Sequence, residues 1–338
     1  MVKLTSDCSR APSGNASRHT SRTKLSCRTK SPWKYIAACA LSAYFSGTAA
    51  KAADFRLSME INEVHRNAVI SEPRRLKHVP RTTIIVLHGI DNGMHIRSRL
   101  GLDSAVAGTG TVTVYPDAIN GHWNNGLTDT PGPDDVAFLK ALITKLVSAG
   151  ISDPKRIYMV GATDGGMMAL RFTCEAGNLL TGTATILASM PAKLAASCKL
   201  AKPAALLAIS GTEDPVIPFN GGPVTLKSGK GQVTATGEVV SMASTLDIFA
   251  QKAGCAAEKK SSQFADKDKE DKTEAFLDSF SDCKIPVEMI RIQGGGHTIP
   301  GHRGPAFGPS AGTGAVNHDI ESNRIIWDFF RRLPATSF

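Results

Sequence analysis

The stretch Arg156–Met168 reads RIYMVGATDGGMM and decides the fold. Its apolar run Ile157–Val160 predicts a short buried strand, and the residues from Gly165 to Cys174 predict a helix. Between strand and helix, residues 161–165 (GATDG) have the spacing of the G-x-S-x-G turn, which lifts a reactive side chain above a sheet. Thr163 stands where that motif has serine. The sequence therefore raises one main question, whether the hydroxyl at this position can react.

Further strands and helices surround this turn. Phe55–Ile61 alternates apolar and polar residues, as a half-buried strand does, and Asn67–Ser71 is its expected partner. Apolar runs predict more strands, and apolar faces at helical spacing predict helices. The strands are expected over 82–87, 111–115, 183–188, 204–209 and 286–292, and the helices over 134–150, 240–253 and 320–332. This alternation predicts an α/β fold with a mostly parallel, doubly wound sheet and helices on both faces.

Two segments are predicted to be loops. Ser261–Lys272 is polar and charged, which favours a solvated loop, and Arg303–Gly314 is rich in glycine and proline, which favours a surface loop beside the site.

The positive charge of the chain is concentrated at its N-terminus. Residues 1–52 hold nine of the 39 Lys and Arg residues and one of the 30 Asp and Glu residues, and the whole chain of 338 residues carries +9. The remainder is close to neutral, so the basic composition gives no argument for nucleic acid as a partner.

The leader is predicted to be a signal peptide over residues 1–52. A basic region precedes the apolar run Tyr35–Phe45, and Ala50-Lys51-Ala52 forms an A-x-A site, so cleavage is expected near Ala52. The Ser/Arg richness is also typical of organellar transit peptides, but the apolar run favours a secreted or periplasmic protein. That run is too short to span a bilayer, so no stable membrane span is expected in the mature form. Residues 53–338 are predicted to be a single domain.

The cysteines that remain after this cleavage are Cys174, Cys198, Cys255 and Cys283. An even number in an exported chain favours two disulfides, for which three pairings are possible. The pairs closest in sequence, Cys174 with Cys198 and Cys255 with Cys283, are favoured over the alternatives, which include four buried free thiols.

A candidate catalytic set follows from what stands at the strand ends. Thr163 occupies the turn, Asp214 follows the strand over 204–209, and His297 follows the last core strand. A histidine can take the proton of a hydroxyl nucleophile while a carboxylate fixes its tautomer. The order of nucleophile, acid and histidine is that of the α/β-hydrolases.

An oxyanion hole is expected from two backbone N–H groups, those of Asp164 and Ile90. His88 and Gly89 precede Ile90 and are candidate substrate-binding residues, although a structural role in supporting this loop is the favoured interpretation for His88. Trp123 and Asn124 either line an acyl pocket or pack their own loop. Asp134 and Asp135 are expected to start a helix.

Several short motifs together carry a family resemblance. They are VLHG (86–89), VYPD (114–117), HWN (122–124), DDVAFLKALI (134–143), GGMM (165–168), GTEDPVIPFNGG (211–222), GGGHTIPG (294–301) and IWDFF (326–330). From Ile84 onward the chain resembles the secreted polyhydroxybutyrate depolymerase and feruloyl esterase family of α/β-hydrolases. The resemblance implies a carboxylic ester hydrolase that needs no cofactor and acts on a small ester or an oligomeric polyester.

The resemblance carries the acid to Asp214, the histidine to His297 and the nucleophile to Thr163, where the chain departs from the family's serine. A β-branched residue is strained at the positive φ of such a turn, so activity below that of a serine enzyme is expected. Two alternatives stay open. One is a catalytically degenerate domain that binds an ester or polymer without turnover, and the other uses Asp164 as the nucleophile.

Overall fold

A computed structural model describes residues 53–73, 80–89, 92–129, 132–227, 233–302 and 313–335. These residues belong to one compact unit. The predicted signal peptide, the oxyanion donor Ile90 and most of the predicted loop Arg303–Gly314 lie outside the described residues.

The strands and helices alternate along the chain. The strands are β1 (Ala53–Ile61), β2 (Val64–Glu72), β3 (Arg81–Leu87), β4 (Val112–Pro116), β5 (Ser152–Ala162), β6 (Gly182–Ile186), β7 (Ala205–Gly211), β8 (Gly222–Lys227), β9 (Val233–Val239), β10 (Lys259–Gln263), β11 (Glu274–Phe280) and β12 (Val287–Gln293). The helices are α1 (Gly93–Leu100), α2 (Leu102–Ala105), α3 (Asp135–Ser148), α4 (Asp164–Ala176), α5 (Ala192–Ser197), α6 (Met242–Ala253) and α7 (Ser322–Arg332).

Ten strands form one sheet in the order β1-β2-β4-β3-β5-β6-β7-β12-β11-β10. From β4 to β12 in this order, neighbouring strands are parallel, and antiparallel strands close both edges. The prediction of a mostly parallel sheet is therefore confirmed. Since the carboxyl ends of parallel strands share one edge, the residues after β3, β5, β7 and β12 are brought to the same side of the molecule.

Helices cover both faces of this sheet, because successive side chains of a strand point to opposite faces. Ile84 and Val86 of β3 join a buried cluster with residues of α1, α2 and α7. Ile85 and Leu87 join a second cluster with residues of α3 and α4. A third buried cluster places α6 beside α4 and against β7 and β12. The doubly wound arrangement is thus observed as well as predicted.

The prediction of a solvated loop over Ser261–Lys272 is wrong for its first residues. Lys259–Gln263 forms the edge strand β10 and pairs antiparallel with β11. All five of its residues are exposed, so no buried face marks the strand in the sequence. The short hairpin of β8 and β9 and the helix α1 were likewise not predicted.

Both favoured disulfides are present in the structure. Cys174 of α4 is bonded to Cys198, which follows α5, and Cys255, which follows α6, is bonded to Cys283. The pairing predicted from closeness in sequence is confirmed. Among the described residues, each helix is too short or too polar to cross a membrane.

The bridge between Cys174 and Cys198 is expected to stabilise the fold by limiting the unfolded chain. It closes a loop with a sequence separation of 24. Replacing both cysteines with alanine should lower the free energy of unfolding by about 3 kcal/mol. Urea unfolding under oxidising conditions measures this difference, and the same curves with a reducing agent are the control. If the variant and the wild type unfold at the same midpoint without reductant, the bridge has no such effect.

Candidate active site

The turn between β5 and α4 has the backbone that a nucleophile elbow requires. Thr163 has φ 51° and ψ −113°, and α4 begins at the next residue, Asp164. Holding a β-branched residue at positive φ costs on the order of 1–3 kcal/mol. The strained position belongs to Thr163 and not to Asp164, so the geometry favours the unshifted alignment of the motif.

Glycine is required where α4 meets the end of β3. A Cβ at Gly165 would collide with the carbonyl oxygen of His88, and a Cβ at Gly161 would collide with the carbonyl oxygen of Gly165. Gly165 therefore lets the N-terminus of α4 lie directly beside the loop that follows β3, and Gly161 lets α4 pack closely on the end of β5.

The structure brings Asp214 and His297 together. Oδ2 of Asp214 lies 2.7 Å from Nδ1 of His297. Oδ1 of Asp214 accepts hydrogen bonds from the backbone N–H groups of Val216 (2.8 Å) and Ile217 (2.9 Å). Asp214 is 7% exposed and His297 is 5% exposed. The carboxylate is thus fixed in the orientation in which it accepts the Nδ1 proton, which leaves Nε2 as the basic nitrogen.

The hydroxyl of Thr163 lies against the loop after β3. A Cβ at Gly89 would collide with Oγ1 of Thr163, so the close approach depends on glycine at position 89. The hydroxyl therefore lies beside the loop that follows β3.

The amide of Asp164 is well placed to bind an anion. It is the first N–H group of α4, so it has no acceptor one turn earlier in the helix. The positive end of the helix dipole also lies there.

His88 and Trp123 are hydrogen-bonded to the loop that follows β3, which agrees with the structural role favoured for His88. His88 is 1% exposed, and its Nε2 accepts the N–H of Ala118 at 2.9 Å. Nδ1 must then carry the proton, which it donates to the carbonyl of Gly89 at 2.6 Å. Trp123 is 4% exposed and donates its indole N–H to the carbonyl of His88 at 2.9 Å. Both rings therefore hold the loop after β3, at His88 and Gly89, in place.

Asn124 is also occupied by the protein. Its side-chain amide donates to the carbonyl of Pro133 at 3.1 Å. Its side-chain oxygen accepts from Arg171 of α4 at 2.9 Å, and its backbone N–H donates to Asp135 at 2.6 Å. Asn124 thus packs its loop between α3 and α4, one of the two roles considered for it, and its role in substrate binding stays a prediction.

A buried ion pair that was not predicted lies next to the loop that contains Asn124. Nη2 of Arg66 is 2.6 Å from Oδ1 of Asp135, and the two side chains are 1% and 0% exposed. The pair is electrostatic rather than an aligned hydrogen bond, because Asp135 Oδ1 has no hydrogen-bond partner among the described residues. Asp134 caps α3 by accepting the N–H of Ala137, as predicted for a helix start, whereas Asp135 has this second role. The signal in the sequence is that Arg66 shares the buried face of β2 with Ala68 and Ile70.

The carboxylate of Asp164 accepts hydrogen bonds from the loop that contains Trp123 and Asn125. Oδ2 accepts the backbone N–H of Trp123 at 2.8 Å, and Oδ1 accepts the side-chain N–H of Asn125 at 2.5 Å. Burial raises the pKa of Asp164 to about 6. The Trp123 hydrogen bond and the charge of His122 lower this pKa, and the nearby Asp135 raises it, but burial is the largest cause.

Several proteins that are similar to this chain in sequence or in fold are named esterases. No protein-family model matches the chain. The chain is 29% identical over 261 residues to NocK of Nocardia uniformis subsp. tsuyamanensis, a protein assigned as an esterase, and this match covers 74% of each chain. It is 27% identical over 201 residues to feruloyl esterase B of Piromyces equi, covering 57% of this chain and 35% of that protein.

Among solved structures, the acetyl xylan esterase from Aspergillus awamori matches 73% of this chain and 95% of its own, with a TM-score of 0.51 and 13% identity. The fold is that of the α/β-hydrolases. This expectation from the sequence is confirmed, and the related sequences support an esterase-like member of that fold.

The contribution of the buried Arg66–Asp135 ion pair to stability can be measured with one substitution. Asp135→Asn should lower the free energy of unfolding by about 3–5 kcal/mol, because it leaves the buried guanidinium without its counter-charge. The matched control is Asp134→Asn at the exposed helix cap, where asparagine caps as well as aspartate and little change is expected. Chemical denaturation of the two variants measures both values. Equal stabilities would show that the pair contributes nothing.

The raised pKa of Asp164 predicts a change of stability with pH. Folding favours the protonated form, so the contribution of Asp164 is fully present below its ordinary pKa and is lost as the pH rises through about 6. Asp164→Asn cannot titrate. Compared with this variant, the wild type should lose about 2 kcal/mol more stability between pH 4 and pH 7. The control is Asp266→Asn at an exposed carboxyl group, which should follow the wild type.

Proposed function

We propose that the protein hydrolyses carboxylic esters with Thr163 as nucleophile, His297 as general base and Asp214 as the residue that orients His297. One observation carries the proposal: the 2.7 Å contact of Asp214 with His297 lies on the same edge of the sheet as a threonine in a strained elbow. The esterase-like relatives support the same class of reaction.

In this mechanism Nε2 of His297 takes the hydroxyl proton while Thr163 Oγ1 attacks the carbonyl carbon of the ester. Asp214 keeps Nδ1 protonated and stabilises the imidazolium. The N–H groups of Asp164 and Ile90 donate to the developing oxyanion. His297 then protonates the leaving alcohol, and a water activated by the same histidine releases the acid from Thr163.

Threonine differs from serine by a γ-methyl group. The Oγ1 of Thr163 packs against Gly89, and the β-branch restricts the values of χ1 at which the hydroxyl could reach His297. This restriction also favours a second candidate function, a degenerate domain that binds an ester or polymer without turnover.

The proposed substrate is a small ester with an aromatic acyl group, of the kind that the name feruloyl esterase B indicates for that relative. Oligomers of a hydroxyalkanoate are the alternative. A secreted or periplasmic protein made of a signal peptide over 1–52 and a domain over 53–338 is proposed as well. The two disulfides support this location, because such bonds persist in oxidising compartments.

The test compares hydrolysis of a chromogenic short-chain ester by the wild type, Thr163→Ser and Thr163→Ala. Thr163→Ala should lose turnover by about a hundredfold or more, since the nucleophile is gone. Thr163→Ser should exceed the wild type, because its hydroxyl turns to His297 without the methyl group. His297→Ala is the control that removes the base.

Equal rates for the wild type and Thr163→Ala would overturn the role of Thr163. A gain in Thr163→Ser over an inactive wild type would favour the degenerate domain, and activity kept in Thr163→Ala but lost in Asp164→Asn would favour Asp164 as nucleophile. An aromatic acyl ester compared with a hydroxyalkanoate oligomer then separates the two substrate classes.

A further inference from the structure

We propose that Asp164 is a positioning residue. Through Trp123, its carboxylate fixes the distance between the two sides of the proposed oxyanion hole, which are the N-terminus of α4 and the loop after β3. This role rests on the proposed function, and it is separate from that of the Asp164 backbone N–H.

A closed series of contacts carries the proposal. The carboxylate of Asp164 accepts the backbone N–H of Trp123 at 2.8 Å, and the Trp123 indole donates to the carbonyl of His88 at 2.9 Å. His88 in turn donates to the carbonyl of Gly89 at 2.6 Å. Gly89 lies against the hydroxyl of Thr163, the neighbour of Asp164. The series starts and ends at the elbow, so Trp123 sets how far α4 stands from the loop after β3.

Oδ1, the second carboxylate oxygen of Asp164, connects this series of contacts to the hairpin of β8 and β9. It accepts from the side-chain amide of Asn125, whose own oxygen accepts the N–H of Leu127 at 2.8 Å. Leu127 packs closely on Gly237 of β9, where a Cβ would lie 2.8 Å from Leu127 Cγ. One carboxylate therefore anchors both ends of the segment 123–127.

In its hydrogen bonds alone, an ionised carboxylate suits this position better than a neutral group, whereas burial opposes the charge and raises the pKa of Asp164. Both partners are donors, and the carboxylate is an acceptor with two oxygens. The Leu127 N–H fixes the oxygen of the Asn125 amide, so its NH₂ group must face Asp164. An asparagine in place of Asp164 would satisfy Trp123 but would set its own NH₂ group against that of Asn125. Such a buried donor left without an acceptor is unfavourable.

Protonation of Asp164 should create the same conflict as asparagine, because one oxygen becomes a donor. The charged groups around the carboxylate are His122, which lowers its pKa, and Asp135, which raises it and is paired with Arg66. His88 lies beside Trp123, and Arg171 of the same helix is bonded to Asn124. With burial as the largest cause, the pKa of Asp164 is about 6, so the positioning should weaken as the pH falls through this value.

The first experiment measures kcat and KM for Asp164→Asn on a short-chain ester at neutral pH. We expect kcat to fall about tenfold or more with little change in KM, because the oxyanion donors stabilise the transition state. The matched variant is the reciprocal exchange, which combines Asp164→Asn with Asn125→Asp. It restores one acceptor for each donor, since the carboxylate introduced at position 125 would accept both the amide introduced at position 164 and the Leu127 N–H. This double variant should recover most of kcat, whereas a merely structural role would give no such rescue.

The second experiment follows the indole N–H resonances of ¹⁵N-labelled protein between about pH 4.5 and 8. The sequence has three tryptophans, and the signal of Trp123 is assigned by Trp123→Phe, with Trp327 of α7 as internal reference. The Trp123 resonance should titrate with a midpoint near the pKa of about 6 and should not titrate in Asp164→Asn. His122→Gln, at an exposed residue, should keep the titration and move it to higher pH.

The two readouts separate the failure of this proposal from that of the proposed function. If neither the wild type nor Thr163→Ser hydrolyses esters, the proposed function fails, and the titration still tests the contact between Asp164 and Trp123. A Trp123 resonance that is unchanged by Asp164→Asn overturns the positioning role, as does a variant with wild-type kcat. A titration lost in His122→Gln and kept in Asp164→Asn would assign the effect to His122 and also overturn it.

Discussion

The site depends on one backbone constraint, the positive φ of Thr163 between β5 and α4. This conformation turns the chain sharply enough for the N-terminus of α4 to lie beside the end of β3. The approach is so close that Gly165 has no room for a side chain next to the His88 carbonyl. The strain at residue 163 is maintained because the strand before it and the helix after it are both buried and hydrogen-bonded. The elbow conformation is therefore specified by its surroundings and is held with threonine at position 163.

The backbone conformation at Thr163 separates two questions, where the side chain is placed and where its hydroxyl points. The position of a nucleophile is a property of the turn, whereas the direction of its hydroxyl is a property of χ1. Thr163 keeps the first and directs its Oγ1 at Gly89. Meanwhile Asp214 and His297 are already paired at 2.7 Å without help from the nucleophile. Asp214 and His297 thus have a defined geometry of their own, and the proposed role of Thr163 depends on the direction of its hydroxyl.

The parts of the fold that could be predicted are those with apolar patterns. β3 and β7 are buried along almost their whole lengths, and the chemistry after the core strands could be aligned because parallel strands end at one edge. β10 could not be predicted, because its residues are all exposed and only backbone pairing defines it. The roles of Trp123 and Asp164 could not be predicted either, because their contact joins positions 41 residues apart through a backbone N–H, which leaves no residue pattern.

The buried carboxylates behind the elbow provide something that apolar packing does not. Apolar contacts have no direction, so they can fill the space between α3, α4 and the segment 123–127 without fixing how a backbone N–H points. The carboxylates of Asp135 and Asp164 accept the backbone N–H groups of Asn124 and Trp123, two successive residues of that segment. Each hydrogen bond fixes a direction as well as a distance. These hydrogen bonds fix the backbone of Asn124 and Trp123, and the Trp123 indole in turn bonds to the carbonyl of His88, so the two carboxylates act on the loop after β3 through this segment.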